Sequence, residues 1–122
     1  MVPKILIVDD EPAICHNLGA FLEDEGFQVT FAHSGEEALG LVREGSLPRL
    51  CIMDLRLPGM NGLDTIIALH HHLPDLRFIV HSGSAPEDVE SDLASAGLQN
   101  IPIFKKPISD MERIIRVIKE RC

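Results

Sequence analysis

Two apolar runs in this chain end on acids. Ile5-Leu6-Ile7-Val8 stops at Asp9-Asp10, and Leu50-Cys51-Ile52-Met53 stops at Asp54. Short apolar runs bounded by polar residues read as strands buried on both faces, the pattern of a parallel sheet covered by helices. Parallel strands bring their carboxyl ends to one edge, so the three acids would meet there. Like charges at that range require a cation or a proton between them. The pattern thus constrains the fold and points to a divalent-metal site beside a carboxylate able to act as nucleophile.

The rest of the chain alternates in the same way. Ile14, Leu18, Phe21 and Leu22 recur at helical spacing until Gly26. Gln28–Ala32 reads as a second strand, and Ser34 with Glu37 forms a capping box ahead of Ala38, Leu41 and Val42. After the strand at Leu50, the run Leu57-Pro58-Gly59-Met60-Asn61-Gly62 is too rich in turn residues for regular structure. Asn61 is placed to cap a helix with Leu63, Ile66, Ile67 and His70 on one face. Phe78-Ile79-Val80 is a fourth strand ending near Ser82-Gly83, and Ile101–Phe104 a fifth. Ser84 with Glu87, and Ser109 with Glu112, repeat the capping-box spacing before helices carrying Val89, Leu93 and Ala96, and Met111, Ile114, Ile115 and Ile118. Five strands alternating with five helices predict an α/β, flavodoxin-like (βα)5 three-layer sandwich with a parallel sheet in the order 2-1-3-4-5. Its topological switch point lies between strands 1 and 3, where Asp9, Asp10 and Asp54 converge.

Composition narrows the function classes. The 122 residues suit one domain, expected over 1–122. A net charge of −8 and the absence of Trp and Tyr argue against nucleic-acid binding, which needs basic patches and stacking platforms. No stretch is long and apolar enough to span a bilayer, no leader pattern opens the sequence, and the expectation is a soluble, cytoplasmic chain without a membrane role. Cys15, Cys51 and Cys122 lack metal-type spacing; Cys51 reads as core, and no disulfide is expected.

Carboxylates at one edge suit Mg²⁺, a hard ion that keeps positions open for phosphate oxygens. Attack of a carboxylate on phosphorus yields an aspartyl phosphate. Such chemistry needs a fixed cation and a hydroxyl beside the phosphoryl group. Ser82 ends strand 4 and Lys105-Lys106 ends strand 5, so both reach the same edge.

Asp9-Asp10, Asp54, Ser82 and Lys106-Pro107, together with the run Leu55–Gly62, make the chain similar to the response-regulator receiver domain of two-component signalling, in order and over its whole length. The resemblance implies that Asp54 accepts a phosphoryl group from a sensor histidine kinase or a histidine phosphotransfer protein. It implies direct Mg²⁺ binding by Asp10, with Asp9 acting mainly through water and Arg56 offering its main-chain carbonyl. Lys106 would contact the phosphoryl group, and Ser82 would turn toward it, changing the face made by helix 4, strand 5 and helix 5. The Lys106-Pro107 bond would be cis. The output, whether a domain of a longer protein or a separate partner, stays open. The chain departs from the family at Ile103, where Tyr or Phe is usual, and in a longer connection from Gly97 to strand 5. Phe104 should face the opposite side of the strand.

Other readings compete. Haloacid-dehalogenase-like phosphohydrolases need a second Asp two residues after the nucleophile, where this chain has Arg56. Nucleotide or flavin modules of the same fold place glycines or hydroxyls after strand 1, where Asp9-Asp10-Glu11-Pro12 would repel a phosphate. His70-His71-His72 reads as a partly exposed helix end, because consecutive helical residues point apart. His81 reads as a hydrogen-bonded core histidine, with a pH-sensitive modulator as the minority alternative.

Overall fold

The structure, a computed structural model, describes residues 3–83, 88–106 and 110–122. In chain order these form β1 (Lys4–Val8), α1 (Pro12–Asp24), β2 (Gln28–Ala32), α2 (Gly35–Arg43), β3 (Leu50–Met53), α3 (Gly62–His72), β4 (Arg77–Ser82), α4 (Val89–Ser95), β5 (Ile103–Lys105) and α5 (Met111–Arg121). The sheet runs β2-β1-β3-β4-β5 with every pair parallel, as the alternation predicts.

The apolar runs are buried because helices cover both faces of the sheet. Leu6, Val8, Cys51, Met53, Phe78 and Val80 pack toward α2, α3 and α4. Their neighbours Ile5, Ile7, Leu50, Ile52, Ile79 and Phe104 pack toward α1 and α5. Each such side chain removed from water contributes about 1.5–3 kcal/mol. Phe104 and Ile103 face opposite layers, as strand alternation requires.

Predicted bounds hold for β2 and β3. β5 begins two positions later than the apolar run because Pro102 has no N–H to give; its carbonyl accepts from Val80 N at 2.9 Å instead. The helix faces shift more. In α1 the buried residues are Cys15, Leu18, Gly19 and Leu22, with Ile14 and Phe21 half-buried. In α3 they are Gly62, Thr65, Ile66 and Leu69, and Ile67 is exposed. His70 is half-buried while His71 and His72 are exposed.

Local signals start the helices. Ser34 Oγ accepts from Glu37 N at 3.1 Å, while the Glu37 carboxylate reaches back past Ser34 to His33 N at 3.0 Å. Asn61 Oδ1 accepts from Asp64 N at 2.8 Å. The cap of α5 is Asp110, which accepts from Arg113 N at 3.1 Å. Ser84, Glu87, Pro107 and Ser109 lie outside the described residues, so the capping boxes at Ser84 and Ser109 and the cis peptide do too. Gly26 closes α1 at a φ of 96°, which only glycine adopts without strain.

The loop after β3 packs directly under the start of α3. A Cβ at Gly62 would collide with the Asp54 carbonyl oxygen and lie 2.6 Å from Leu55 Cα, both backbone atoms with no room to turn aside. Gly62→Ala should therefore lower stability by about 1–3 kcal/mol, seen as a lower urea midpoint at unchanged slope. Gly40→Ala, inside α2 with open space where the Cβ would go, should instead raise stability by about 0.4–1 kcal/mol.

Candidate functional site

The register of the sheet places the site. Val8 pairs with Met53, and Met53 with Val80, so the residues that follow β1 and β3 leave the sheet side by side. Asp54 N donates to Val8 O at 2.9 Å, and Asp9 N to Ala32 O at 3.0 Å, which fixes both backbones at the edge. Lys106 N donates to Ser82 O at 3.0 Å and fixes the β4–β5 side in the same way.

The side chains then converge. Lys106 Nζ lies 2.8 Å from Asp9 Oδ2, 3.0 Å from Glu11 Oε1 and 3.1 Å from Asp54 Oδ2. The other oxygen of Asp54, Oδ1, accepts from Ser82 Oγ at 2.9 Å and from Arg56 N at 3.2 Å. Asp9 Oδ1 accepts from Glu11 N at 3.0 Å. Asp9 and Asp54 are buried, and Asp10 and Glu11 are exposed at the rim. The five residue positions singled out in the sequence therefore share one edge, while Lys105 is exposed on the other side of β5.

Burial alone would draw the Lys106 ammonium down, but hydrogen bonds to Asp9, Glu11 and Asp54 outweigh it and hold its pKa above the usual lysine value. Burial pushes the Asp9 carboxyl up against the opposing pull of Lys106. Lys106 thus supplies a single positive charge to a cluster of four carboxyl groups.

Glu11 is the member sequence reasoning missed. Its signal was a third consecutive acid at the N-cap of α1, where its side chain makes no capping bond. His33 was also missed: its Nδ1 lies 3.2 Å from the Asp9 carbonyl oxygen and props the turn after β1. Cys15 Sγ donates weakly to that same oxygen at 3.4 Å, and burial pushes its thiol up to about 11, so it is inert packing.

The chemistry of the donor set fits a divalent cation. One oxygen from each of Asp9, Asp10, Glu11 and Asp54 lies within 4.8 Å of the others. These hard oxygen donors match Mg²⁺. A cavity of about 260 Å³ lies elsewhere, at the opposite edge, lined by His70, Arg77 and Arg121 among others; it draws on the start of β4, not on Ser82.

His81 is buried, and its Nε2 has no hydrogen-bond partner among the described residues. The core placement matches the sequence reading, while the hydrogen bond expected of it is missing at Nε2. Burial, and then the nearby Lys106 charge, lower its pKa to about 4, so it stays neutral through the physiological range.

Comparison with known proteins agrees with this fold. The sequence model described as "Response regulator receiver domain" matches residues 5–119. The chain is 32% identical over 116 residues to the transcriptional regulatory protein CpxR of Escherichia coli K12, covering 93% of this chain and 47% of that protein. It is 49% identical over 80 residues to the transcriptional activator protein ExaE of Pseudomonas putida, covering 64% of this chain and 37% of that one. It thus spans less than half the length of either relative. Among solved structures, a CheY-like receiver domain protein from Methanospirillum hungatei superimposes with a TM-score of 0.89 at 29% identity, covering 98% of this chain and 93% of that one. The response regulator TrrA of Thermotoga maritima, solved in complex with Mg²⁺-BeF, gives 0.83 at 28%, covering 99% and 100%.

The burial of His81 fixes a pH dependence. The unfolded imidazole takes its proton near 6.5 and the folded one near 4, so within that window the unfolded chain binds more protons. Stability therefore rises with pH from about 4 to 6.5, is fully present above that, and is lost as pH falls. His81→Leu should shrink the difference in unfolding free energy between pH 7 and pH 4.5 by about 2–3 kcal/mol. Urea unfolding of both proteins at the two pH values checks this; equal pH dependence would show that the imidazole does not titrate with folding.

Proposed function

We propose that this chain, which belongs to the response regulator receiver domain family, is a phosphoryl-accepting signalling switch with Asp54 as its acceptor. The observation that carries the reading is the Asp54 carboxylate itself. It is buried at the sheet edge, with one oxygen bonded to Ser82 and Arg56 N and the other to Lys106.

The donor is a phosphohistidine on a sensor histidine kinase or a histidine phosphotransfer protein. An Asp54 oxygen attacks phosphorus, the phosphorus–nitrogen bond breaks, and the imidazole leaves, giving an acyl phosphate on Asp54. Hydrolysis of that acyl phosphate by water resets the switch. Asp10, Asp54 and the Arg56 main-chain carbonyl would hold Mg²⁺, with Asp9 helping mainly through water. When bound, the ion neutralises charge on the transferring group. Lys106 supplies a fixed positive charge to a phosphoryl oxygen, and Ser82 turns its hydroxyl from Asp54 toward the same group. Both residues come from the ends of strands, so their backbones are set before the donor arrives.

Occupancy of Asp54 is read at the face of α4, β5 and α5. Movement of Ser82 and Lys106 acts there on β4 and β5, whose backbones are joined by the bond from Lys106 N to Ser82 O. Ile103, half-buried against α4's layer, takes the place of the usual aromatic residue, and Phe104 is buried against α5 under the Arg113 guanidinium at 4.9 Å from its ring centre. The receiver unit comprises residues 1–122, acts in the cytoplasm, and governs an output domain or partner protein without itself contacting nucleic acid or membrane. Among the described residues, no helix is long and apolar enough to cross a membrane.

The test uses acetyl phosphate and Mg²⁺ followed by intact-mass measurement, since the chain has no Trp to report binding by fluorescence. The protein should gain one alkali-labile phosphoryl group. Asp54→Asn should gain none, and chelating the metal should abolish uptake. Lys106→Ala should slow uptake by about tenfold or more, as expected for loss of a charge that acts on the transferring group. Absence of uptake by the wild type, or rapid turnover of unrelated phosphate esters, would overturn the reading.

A further inference from the structure

The three protons of Lys106 face three carboxylates. A lysine ammonium has three donors and no more. Here they meet Asp9 at 2.8 Å, Glu11 at 3.0 Å and Asp54 at 3.1 Å. A phosphoryl oxygen on Asp54 can therefore be met only if one of these contacts is given up.

Exposure decides which contact is weakest. Asp9 and Asp54 keep 2% and 4% of their side-chain surface, whereas Glu11 keeps 58%. Breaking a buried pair strands a charge away from water, but an exposed carboxylate is readily hydrated. The position of Glu11 points the same way. It is the N-cap of α1, a site that favours Asp, Asn, Ser or Thr, and its side chain makes no bond to the helix. Its carboxylate instead spans to a lysine 95 residues away.

We propose that Glu11 is a positioning residue that tethers Lys106 in the resting state and competes with the arriving phosphoryl group for it. This rests on the phosphoacceptor reading of Asp54. Glu11 is then a brake: it keeps the ammonium docked on the carboxylate cluster and raises the barrier to its transfer onto the phosphoryl oxygen. Its loss speeds phosphorylation while leaving the acceptor intact.

Two variants separate tether from charge. Glu11→Gln removes the charge and leaves Lys106 only a neutral amide oxygen, a weaker tether. Glu11→Asp keeps the charge, but its shorter side chain is drawn to cap α1 and falls short of Lys106, and it favours folding. At saturating Mg²⁺, both should take up phosphoryl groups from acetyl phosphate about two- to fivefold faster than wild type, the range an exposed ion pair is worth. Without Mg²⁺ or donor, the Lys106 ammonium protons should exchange with water faster in both variants, a readout by NMR that needs no activity. Unchanged or slower uptake in the variants, with uptake by the wild type intact, overturns this inference alone. An unchanged saturating rate that needs more Mg²⁺ in Glu11→Gln also overturns it, because Glu11 would then be a metal ligand. No uptake by the wild type overturns the acceptor reading and this inference together.

Discussion

One ammonium set among carboxylates holds this sheet edge together. Asp9 and Asp54 are buried side by side, and Asp10 and Glu11 stand at the rim. Without a cation among them, burial and the neighbouring Asp54 charge would push a proton onto Asp9 and cost the edge its geometry. Lys106 prevents this from the end of β5, two strands from β3 and three from β1. The arrangement depends on parallel topology, because only there do β1, β3, β4 and β5 deliver their C-terminal residues to the same place. An antiparallel sheet of the same sequence would send half of them to the opposite edge.

The scaffold holds that edge from both layers. The apolar runs fix strand registers by burial, since a slip of one residue would exchange the residues facing α1 and α5 with those facing α2, α3 and α4. The loop after β3 is held between neighbours. Gly62 lies against the Asp54 backbone, and Met60 N donates to Glu36 Oε1 of α2 at 3.3 Å. The loop that carries Arg56 is thus set by the start of α3 and by α2, and the Asp54 backbone is part of that packing.

What the sequence shows and what it hides follow from the range of the interactions. Strands of branched apolar residues ending on acids were legible, because burial on both faces leaves an unbroken run, and β3 matches to the residue; β2, half-buried at the sheet edge, matches through its β-branched and aromatic residues. Helix faces were less so. The stripes of α1 and α3 were read from large side chains, but close packing selected small ones: Cys15 and Gly19 in α1, and Gly62 and Thr65 in α3. Gly19 lies against the Phe31 ring and Gly35 against Thr65, contacts that depend on which helix crosses which strand. Glu11 was hidden for the same reason. Nothing in Asp9-Asp10-Glu11 specifies a bond to a lysine at the other end of the chain, whereas Ser34 and Asn61 cap helices through residues three positions away.

The places where the chain breaks local rules gather at this one edge. α2 and α3 start on good caps, with side chains bonded to the helix backbone. α1 starts on Glu11, a poor cap whose carboxylate turns to Lys106. His81 stands where β4 would otherwise carry an aliphatic residue, and it buries an Nε2 that finds no partner among the described residues. Asp9 and Asp54 are buried acids in a layer otherwise closed by Ile, Leu and Phe. Each of these choices costs stability that an apolar or well-capped alternative would recover. Among the described residues, the opposite ends of the same strands carry no comparable set: Lys4 and Arg77 are exposed charges at strand starts, where water solvates them at little cost. Local rules fail in a folded protein mainly where function overrides them. Under the proposed function, Glu11 meets that criterion alongside Asp9, Asp54 and Lys106.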